Sequence, residues 1–378
     1  MRIAYLDNSA TTQVCKPAAD KVLEMMTEKY GNPSSLHTLG LEAEREVSAA
    51  RERIASALGC QSAELTFTSG GTEANNLALL GAVRARKRLG TRIVVSAIEH
   101  ASVLEAARQA EKEGFELVLL QPDATGVVPE QAVFDAVNSD TVFVSMQLVN
   151  NETGAVQPVE AMARAVKRTQ APAVVHVDAV QAFGKCQVVP RKLGADLLTI
   201  SAHKIHGPKG VGALYHAKNC RILPQVYGGG QEGRLRPGTE PVPLIAGFGA
   251  AVAALPPWPQ SLERVSALRD RCLDRLRGLG GILVNSPDNA LPYMINISVM
   301  GIRSEPMLHH LASRGVYVSS GSACSKGKKS HVLAAMNLPA ARIDSALRIS
   351  FSHTNTSEDI DQLIEALGDG MQTLARAR

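Results

Sequence analysis

Seven short apolar runs recur through the first two thirds of the chain: "ELTFTS" (64–69), "TRIVVSAI" (91–98), "FELVLLQ" (115–121), "TVFVSMQLV" (141–149), "AVVHVDAV" (173–180), "ADLLTIS" (195–201) and "GVGALYH" (210–216). Between them lie longer segments such as "TEANNLALLGAVRARKRLG" and "SVLEAARQAEKEG", with apolar residues at helical spacing. Short runs bounded by turn signals read as buried strands, and a 3.6-residue period reads as helix. The alternation of the two predicts an α/β fold, a mostly parallel sheet with helices on both faces. "LPPWPQ" (255–260) then breaks an alanine-rich helical pattern, and beyond it come an amphipathic stretch, "SLERVSALRDRCLDRLRGL", and shorter strand-like runs, "MINISV" and "VYVSSG". The expected organisation is a large domain over residues 15–254 and a smaller α+β domain from residues 1–14 and 255–378.

Composition narrows the class. The 378 residues are 45% hydrophobic and 20% charged, enough apolar material for a sizeable core. With 40 basic and 36 acidic residues the net charge is +4, too balanced to point to nucleic acid. No apolar stretch approaches 18 residues, and "MRIAYLDNSATT" lacks the apolar core of a signal peptide, so a cytoplasmic protein without a membrane span is expected. Cys15, Cys60, Cys186, Cys220, Cys272 and Cys324 form no C-x-x-C pair and no close Cys/His cluster. The pattern predicts free thiols, with neither a metal site nor a disulfide framework. Cys324 stands apart, because its setting, "SSGSACSKGKKSH" (319–331), does not suit burial.

Ligands of open α/β sheets sit at the carboxyl ends of the strands. After the first run comes "GGTEANN", where Gly71 and Thr72 open a helix as an anion cradle would. His100 follows the second run, Asn151 lies in "NNETG", Asp178 and Gln181 stand three apart, and Ser201, His203 and Lys204 end a strand before "IHGPKG". One such residue is usually a cap or a turn; five clusters on five strand ends point to a site. A partly desolvated lysine exposes a nucleophilic amine suited to an aldehyde. Pyridoxal 5′-phosphate needs that amine, a phosphate cradle and a carboxylate for its ring nitrogen. Lys204, "SGGT" and Asp178 supply these three. The G-x-G-x-x-G spacing of a nicotinamide site is absent.

With these motifs in place, the chain resembles the cysteine desulfurases of the NifS/IscS type, in the class V aminotransferase group of fold-type I pyridoxal-phosphate enzymes. The likeness runs in order through "YLDNSATT", "GNPSSLHTLG", "SGGTEANN", "IEH", "VNNETG", "VDAVQ", "SAHKIHGPKG", "RPGTEP", "SSGSAC" and "ALRISF". It implies that Lys204 holds the cofactor and moves protons, Asp178 pairs with the ring nitrogen, Gln181 reaches the phenolic oxygen, and His100 stacks on the ring and takes part in acid–base steps. Gly71, Thr72, Ser201 and His203 would hold the phosphate. Thr239 would reach the phosphate of the other subunit of a homodimer, and Asn151 and Arg348 the substrate carboxylate. Cys324 would take sulfur from L-cysteine as a persulfide, with L-alanine leaving, and pass it to an iron–sulfur scaffold or a tRNA-thiolation protein. Lys326, Lys328 and Lys329 would favour its thiolate, on a solvated segment from about Ser322 to Ser330. The chain departs from the pattern at Gln231, where many relatives carry a histidine, in a loop after Cys324 about two residues shorter, and in a short stretch after the last helical pattern. The nearest rivals are a selenocysteine lyase or another class V enzyme, and a non-catalytic sulfur-network scaffold.

Overall fold

Strands form where the alternating pattern places apolar residues on both faces of a buried ribbon. The computed structural model describes residues 2–320 and 329–375. Its strands are β1 (Ala4–Tyr5), β2 (Leu65–Thr68), β3 (Arg92–Ser96), β4 (Glu116–Leu120), β5 (Thr141–Gln147), β6 (Val174–Asp178), β7 (Leu197–Ser201), β8 (Gly212–His216), β9 (Ile282–Val284), β10 (Met294–Val299), β11 (Val316–Tyr317) and β12 (Ala346–Ser350). All seven runs read from the sequence are strands of one sheet, in the order β2-β8-β7-β6-β5-β3-β4. Its pairings are parallel from β4 through β3, β5 and β6 to β7, and antiparallel where β8 meets β7 and β2.

Both faces of this sheet are covered. On β3, Ile93 and Val95 pack into one buried cluster and Val94 into another, the two-residue period of a strand read directly as two cores. The helices α1 (Lys16–Thr27), α2 (Thr38–Leu58), α3 (Gly71–Ala85) and α4 (Ala101–Lys112) open the chain of covering elements. On α4 the residues Val103, Ala106, Ala107 and Ala110 recur at helical spacing and are buried, so this helix lays one stripe on the sheet. β4 lies at the sheet edge, with an exposed Glu116 paired to Arg92 at 2.8 Å.

The proline-rich segment does separate two helices, Val242–Ala254 and Trp258–Arg277, and the second carries a proline in its first turn. Beyond it β9, β10 and β12 form an antiparallel sheet in the order β12-β10-β9. "MINISV" is β10 in full, whereas only Val316–Tyr317 of "VYVSSG" is strand, and it pairs in parallel with β1. After β1 the chain crosses β12 through a bridge from Asp7 to Ser350, which carries Ser9 and Ala10 to the end of the large sheet. Among the described residues no single helix is long and apolar enough to cross a membrane.

Candidate active site

A cavity of about 530 Å³ opens at the carboxyl ends of the parallel strands. Ten of the residues singled out from the sequence line it: Gly71, Thr72, His100, Asn151, Asp178, Gln181, Ser201, His203, Lys204 and Arg348. Thr239 is exposed and does not line this cavity. Cys324, Lys326 and Lys328 lie outside the described residues.

The cradle comes from the turn into α3. Gly70 has φ 151°, open to glycine alone among common residues, and a Cβ on Gly71 would sit 3.0 Å from the Val180 side chain. The backbone at the start of α3 therefore lies close to the end of β6, with Thr72 exposed in the first helical turn. β6 ends at Asp178, 6% exposed. Its two oxygens accept from the Val180 backbone N–H at 2.9 Å and from Asn75 Nδ2 at 2.8 Å, which fixes the plane of the carboxylate.

β7 ends at Ser201, and a single 3-10 turn brings His203 and Lys204 onto the cavity wall. Lys204 Nζ donates to the carbonyls of Ser9 at 2.5 Å and Ala10 at 2.7 Å, so the amine is held by the N-terminal segment. Burial and the neighbouring Lys204 push the His203 imidazole down to about 3, which keeps it neutral. Gln181 Nε2 donates to the same Ser9 carbonyl at 2.9 Å, and its Oε1 accepts from Lys185 Nζ at 3.0 Å. Lys185 is buried, which with the charge of Lys204 lowers its ammonium to about 7. His100 sits at the N-cap of α4; burial lowers its pKa, against the attraction of Asp178.

Opposite, Arg348 lies on β12, 2% exposed. Its Nη1 donates to the Asn151 carbonyl and its Nη2 to Asp7 Oδ1, each at 2.9 Å. Burial raises the Asp7 carboxyl, and Arg348 works against that rise.

The donor set fits pyridoxal 5′-phosphate with a carboxylate-bearing amine. Ser201 Oγ, Asn151 Oδ1 and Arg348 Nε are buried, belong to cavity-lining residues and have no hydrogen-bond partner among the described residues. Buried polar atoms are nearly always paired, and leaving one unpaired costs about 1–3 kcal/mol. Five on one cavity, Ser9 Oγ and Asn75 Oδ1 included, beside a primary amine, a fixed carboxylate and a glycine turn at a helix start, match a polar guest that carries anionic groups.

Lys329, named from the sequence, also lines the cavity, and several lining residues were not read from the sequence: Ser9, Ala10, Asn75, Ser102, Gln147, Glu152 and His331. Asn75 had a signal, since it stands four residues after Gly71 on the same helix face. Ser9 and His331 had none, because neither ends a strand. The expectation of a solvated segment reaching Ser330 is corrected at its far end. Ser330 is buried, caps the helix His331–Ala335 and donates to Glu152 Oε2 at 2.5 Å. Lys329 is paired with Asp344 at 3.2 Å, so its charge is shared rather than given wholly to a thiolate.

The sheet and its flanking helices have counterparts among known proteins. Residues 4–363 match the model of the class V aminotransferases. The chain is 38% identical over 377 residues to the cysteine desulfurase IscS of Methanosarcina thermophila, covering 99% of this chain and 93% of that protein. A solved NifS-like protein superposes with a TM-score of 0.93 at 36% identity, covering 99% of this chain and all of that one. A second solved chain, SspA in complex with cysteine, gives a TM-score of 0.82 at 33% identity over 93% of this chain and 99% of its own. The chain belongs to the class V aminotransferase family, within its cysteine desulfurase branch.

Proposed function

We propose that this protein is a cysteine desulfurase that uses pyridoxal 5′-phosphate to take sulfur from L-cysteine, leaving L-alanine and a persulfide on Cys324. The observation that carries the reading is the convergence of Lys204, Asp178 and five unpaired buried polar atoms on one cavity, with Arg348 on its far wall. When bound, the cofactor supplies an electron sink for the substrate Cα. Lys204 is the amine that carries its aldehyde and then moves the Cα proton. Asp178 holds the proton of the ring nitrogen, and His100 faces the ring. Gln181 has one amide hydrogen left for the phenolic oxygen after its bond to Ser9. Gly71, Thr72, Ser201 and His203 take the phosphate, and Thr239 serves the phosphate of a second copy in a homodimer. Arg348 Nε and Asn151 receive the substrate carboxylate.

The Cys324 thiolate attacks the substrate sulfur. The Cβ–S bond breaks, its electron pair stays with carbon, a proton completes the methyl group of alanine, and the sulfur remains on Cys324. Relatives named as IscS and a solved chain described with cysteine support this substrate. The persulfide then serves a protein acceptor in the cytoplasm, such as an iron–sulfur scaffold or a tRNA-thiolation protein. The enzyme itself contacts neither nucleic acid nor membrane. Cys324→Ser tests the reading. It should keep the cofactor and its colour change with L-cysteine, and lose alanine release. Alanine release at the unsubstituted rate would mean that sulfur leaves without a protein nucleophile.

A further inference from the structure

Between His100 and Asp178 runs a chain of hydrogen bonds that can be followed atom by atom. The turn at Gly70 starts α3 so that Asn75, 1% exposed, lies beside the end of β6. α4, packed on α3, presents Ser102 in its first turn. Asn75 Nδ2 stands 2.8 Å from Asp178 Oδ2 and 2.9 Å from Ser102 Oγ. A carboxylate oxygen only accepts, so the Asn75 atom facing it is the amide nitrogen, and its second hydrogen goes to Ser102. The Asn75 Oδ1 atom is left buried and unpaired, which is what this orientation costs. Ser102 Oγ, already accepting, sends its own hydrogen to the next acceptor, His100 Nδ1, at 2.8 Å. The Ser102 backbone N–H donates to the same nitrogen at 3.2 Å. A nitrogen that accepts twice carries no proton.

We propose that Asn75 is a positioning residue that, by donating to both Asp178 and Ser102, fixes the proton of His100 on Nε2. His100 Nε2 has no hydrogen bond among the described residues, and its ring lines the cavity, so this proton is the one the imidazole can offer there. One amide thus orients the carboxylate for the cofactor ring and sets which histidine nitrogen is the acid. Burial lowers the His100 pKa, which acts in the same direction as an unprotonated Nδ1 at the N-cap. The charged and titratable groups around it come from every side. Asp178 on β6 raises its proton affinity, while Lys204 after β7 and His331 on the facing helix lower it. Glu99, fully buried beside it, is pushed well above its ordinary value by burial and by Asp178. None of them touches Nδ1.

The inference rests on reading His100 as the residue over the cofactor ring, but its test observes the imidazole itself and can fail while that reading stands. Histidine ¹⁵N shifts of the pyridoxal-phosphate-loaded protein, with His100 assigned by difference against His100→Gln, report the protonated nitrogen and its titration. The unsubstituted protein should show a bare Nδ1 and a protonated Nε2 at neutral pH. In Asn75→Ala the freed Ser102 hydroxyl can accept from a protonated Nδ1, and the His100 midpoint should rise by about one pH unit, a tenfold change in proton affinity worth one hydrogen bond. Ser102→Ala removes one donor and keeps the backbone cap, so its rise should be about half a unit. Ser102→Thr, which keeps the hydroxyl, should restore the original midpoint. A proton on Nδ1 in the unsubstituted protein overturns the proposal. So does an unmoved midpoint in Asn75→Ala, or in Ser102→Ala if Asn75→Ala fails to fold.

Discussion

On the sheet side of the cavity, side chains are placed by strand register. Asp178 pairs across to Thr199, Ser201 closes the same strand two residues on, and Lys204 follows after one turn. On the opposite side, side chains are placed by one another. Arg348 comes from β12, Asp7 from the crossing after β1, Asn151 from the loop after β5, and His331 from a helix start more than 150 residues further on. The first wall draws its order from backbone ladders that many residues share. The second depends on a buried ion pair and a few hydrogen bonds, each with no substitute. Under the proposed function, chemistry that needs a fixed frame falls to the first wall and recognition of a guest carboxylate to the second, where a polar network is already short of partners.

The contrast can be broken most severely at the sheet wall. Lys204→Ala should reduce alanine formation by about a thousandfold or more, the usual scale for losing a covalent and acid–base group together. Borohydride reduction and peptide mapping should find the pyridoxyl label on Lys204 and nowhere in the variant; a label on Lys209 would refute the assignment. On the other wall Arg348→Ala should lower kcat/KM for L-cysteine by about a hundredfold, mostly through KM, since a charge-assisted pair is worth roughly 1.5–3 kcal/mol. A loss confined to kcat would place Arg348 in the chemistry instead.

Asp7→Asn sharpens the comparison further. It leaves the buried Arg348 guanidinium without its countercharge, and removing one partner of such a pair costs about 3 kcal/mol. Urea titration should show that loss, and added L-alanine, by supplying a carboxylate, should recover part of it; an unchanged midpoint would mean that the pair does not hold this wall together. The effect per pH unit is smallest behind the sheet wall. The unfolded chain keeps the Lys185 proton up to its ordinary value of 10.5, and the folded one only to about 7. Unfolded molecules therefore bind more protons in that window, and stability rises with pH from 7 toward 10.5. Lys185→Met should flatten that rise by at most about 1.4 kcal/mol per pH unit, read from urea midpoints across the window. An identical slope in both proteins would put the Lys185 charge in solvent contact.

The two walls were not equally legible in the sequence. Short apolar runs bounded by turn signals announce buried strands, so all seven strands of the large sheet were readable, and with them Asp178, Ser201 and Lys204 at their ends. β1 and β11 were not readable as a pair, because two-residue strands have no period and their partners lie some 310 residues apart. The same reason hid Ser9, Asp7 and His331 as neighbours of the site. Arg348 was named only through resemblance; nothing in "ALRIS" says that its guanidinium turns inward to Asp7. Asn75 was within a quoted motif and went unread, because a polar residue in a helix looks like surface until the helix is docked.

The crossing of the N-terminal segment over β12 also sets a timetable. Ala4 and Leu6 are fully buried, the Ser9 N–H donates to Ser350 Oγ at 2.9 Å, and the Ser9 carbonyl receives Lys204. Residues 4–9 thus find many of their neighbours more than 300 residues further along the chain. A nascent chain can build the large sheet once residue 216 has emerged, yet residues 4–8 must wait, greasy and unpaired, until residue 350 is out. Such long-range closure is slow, and the waiting segment is the stretch a chaperone would have reason to hold.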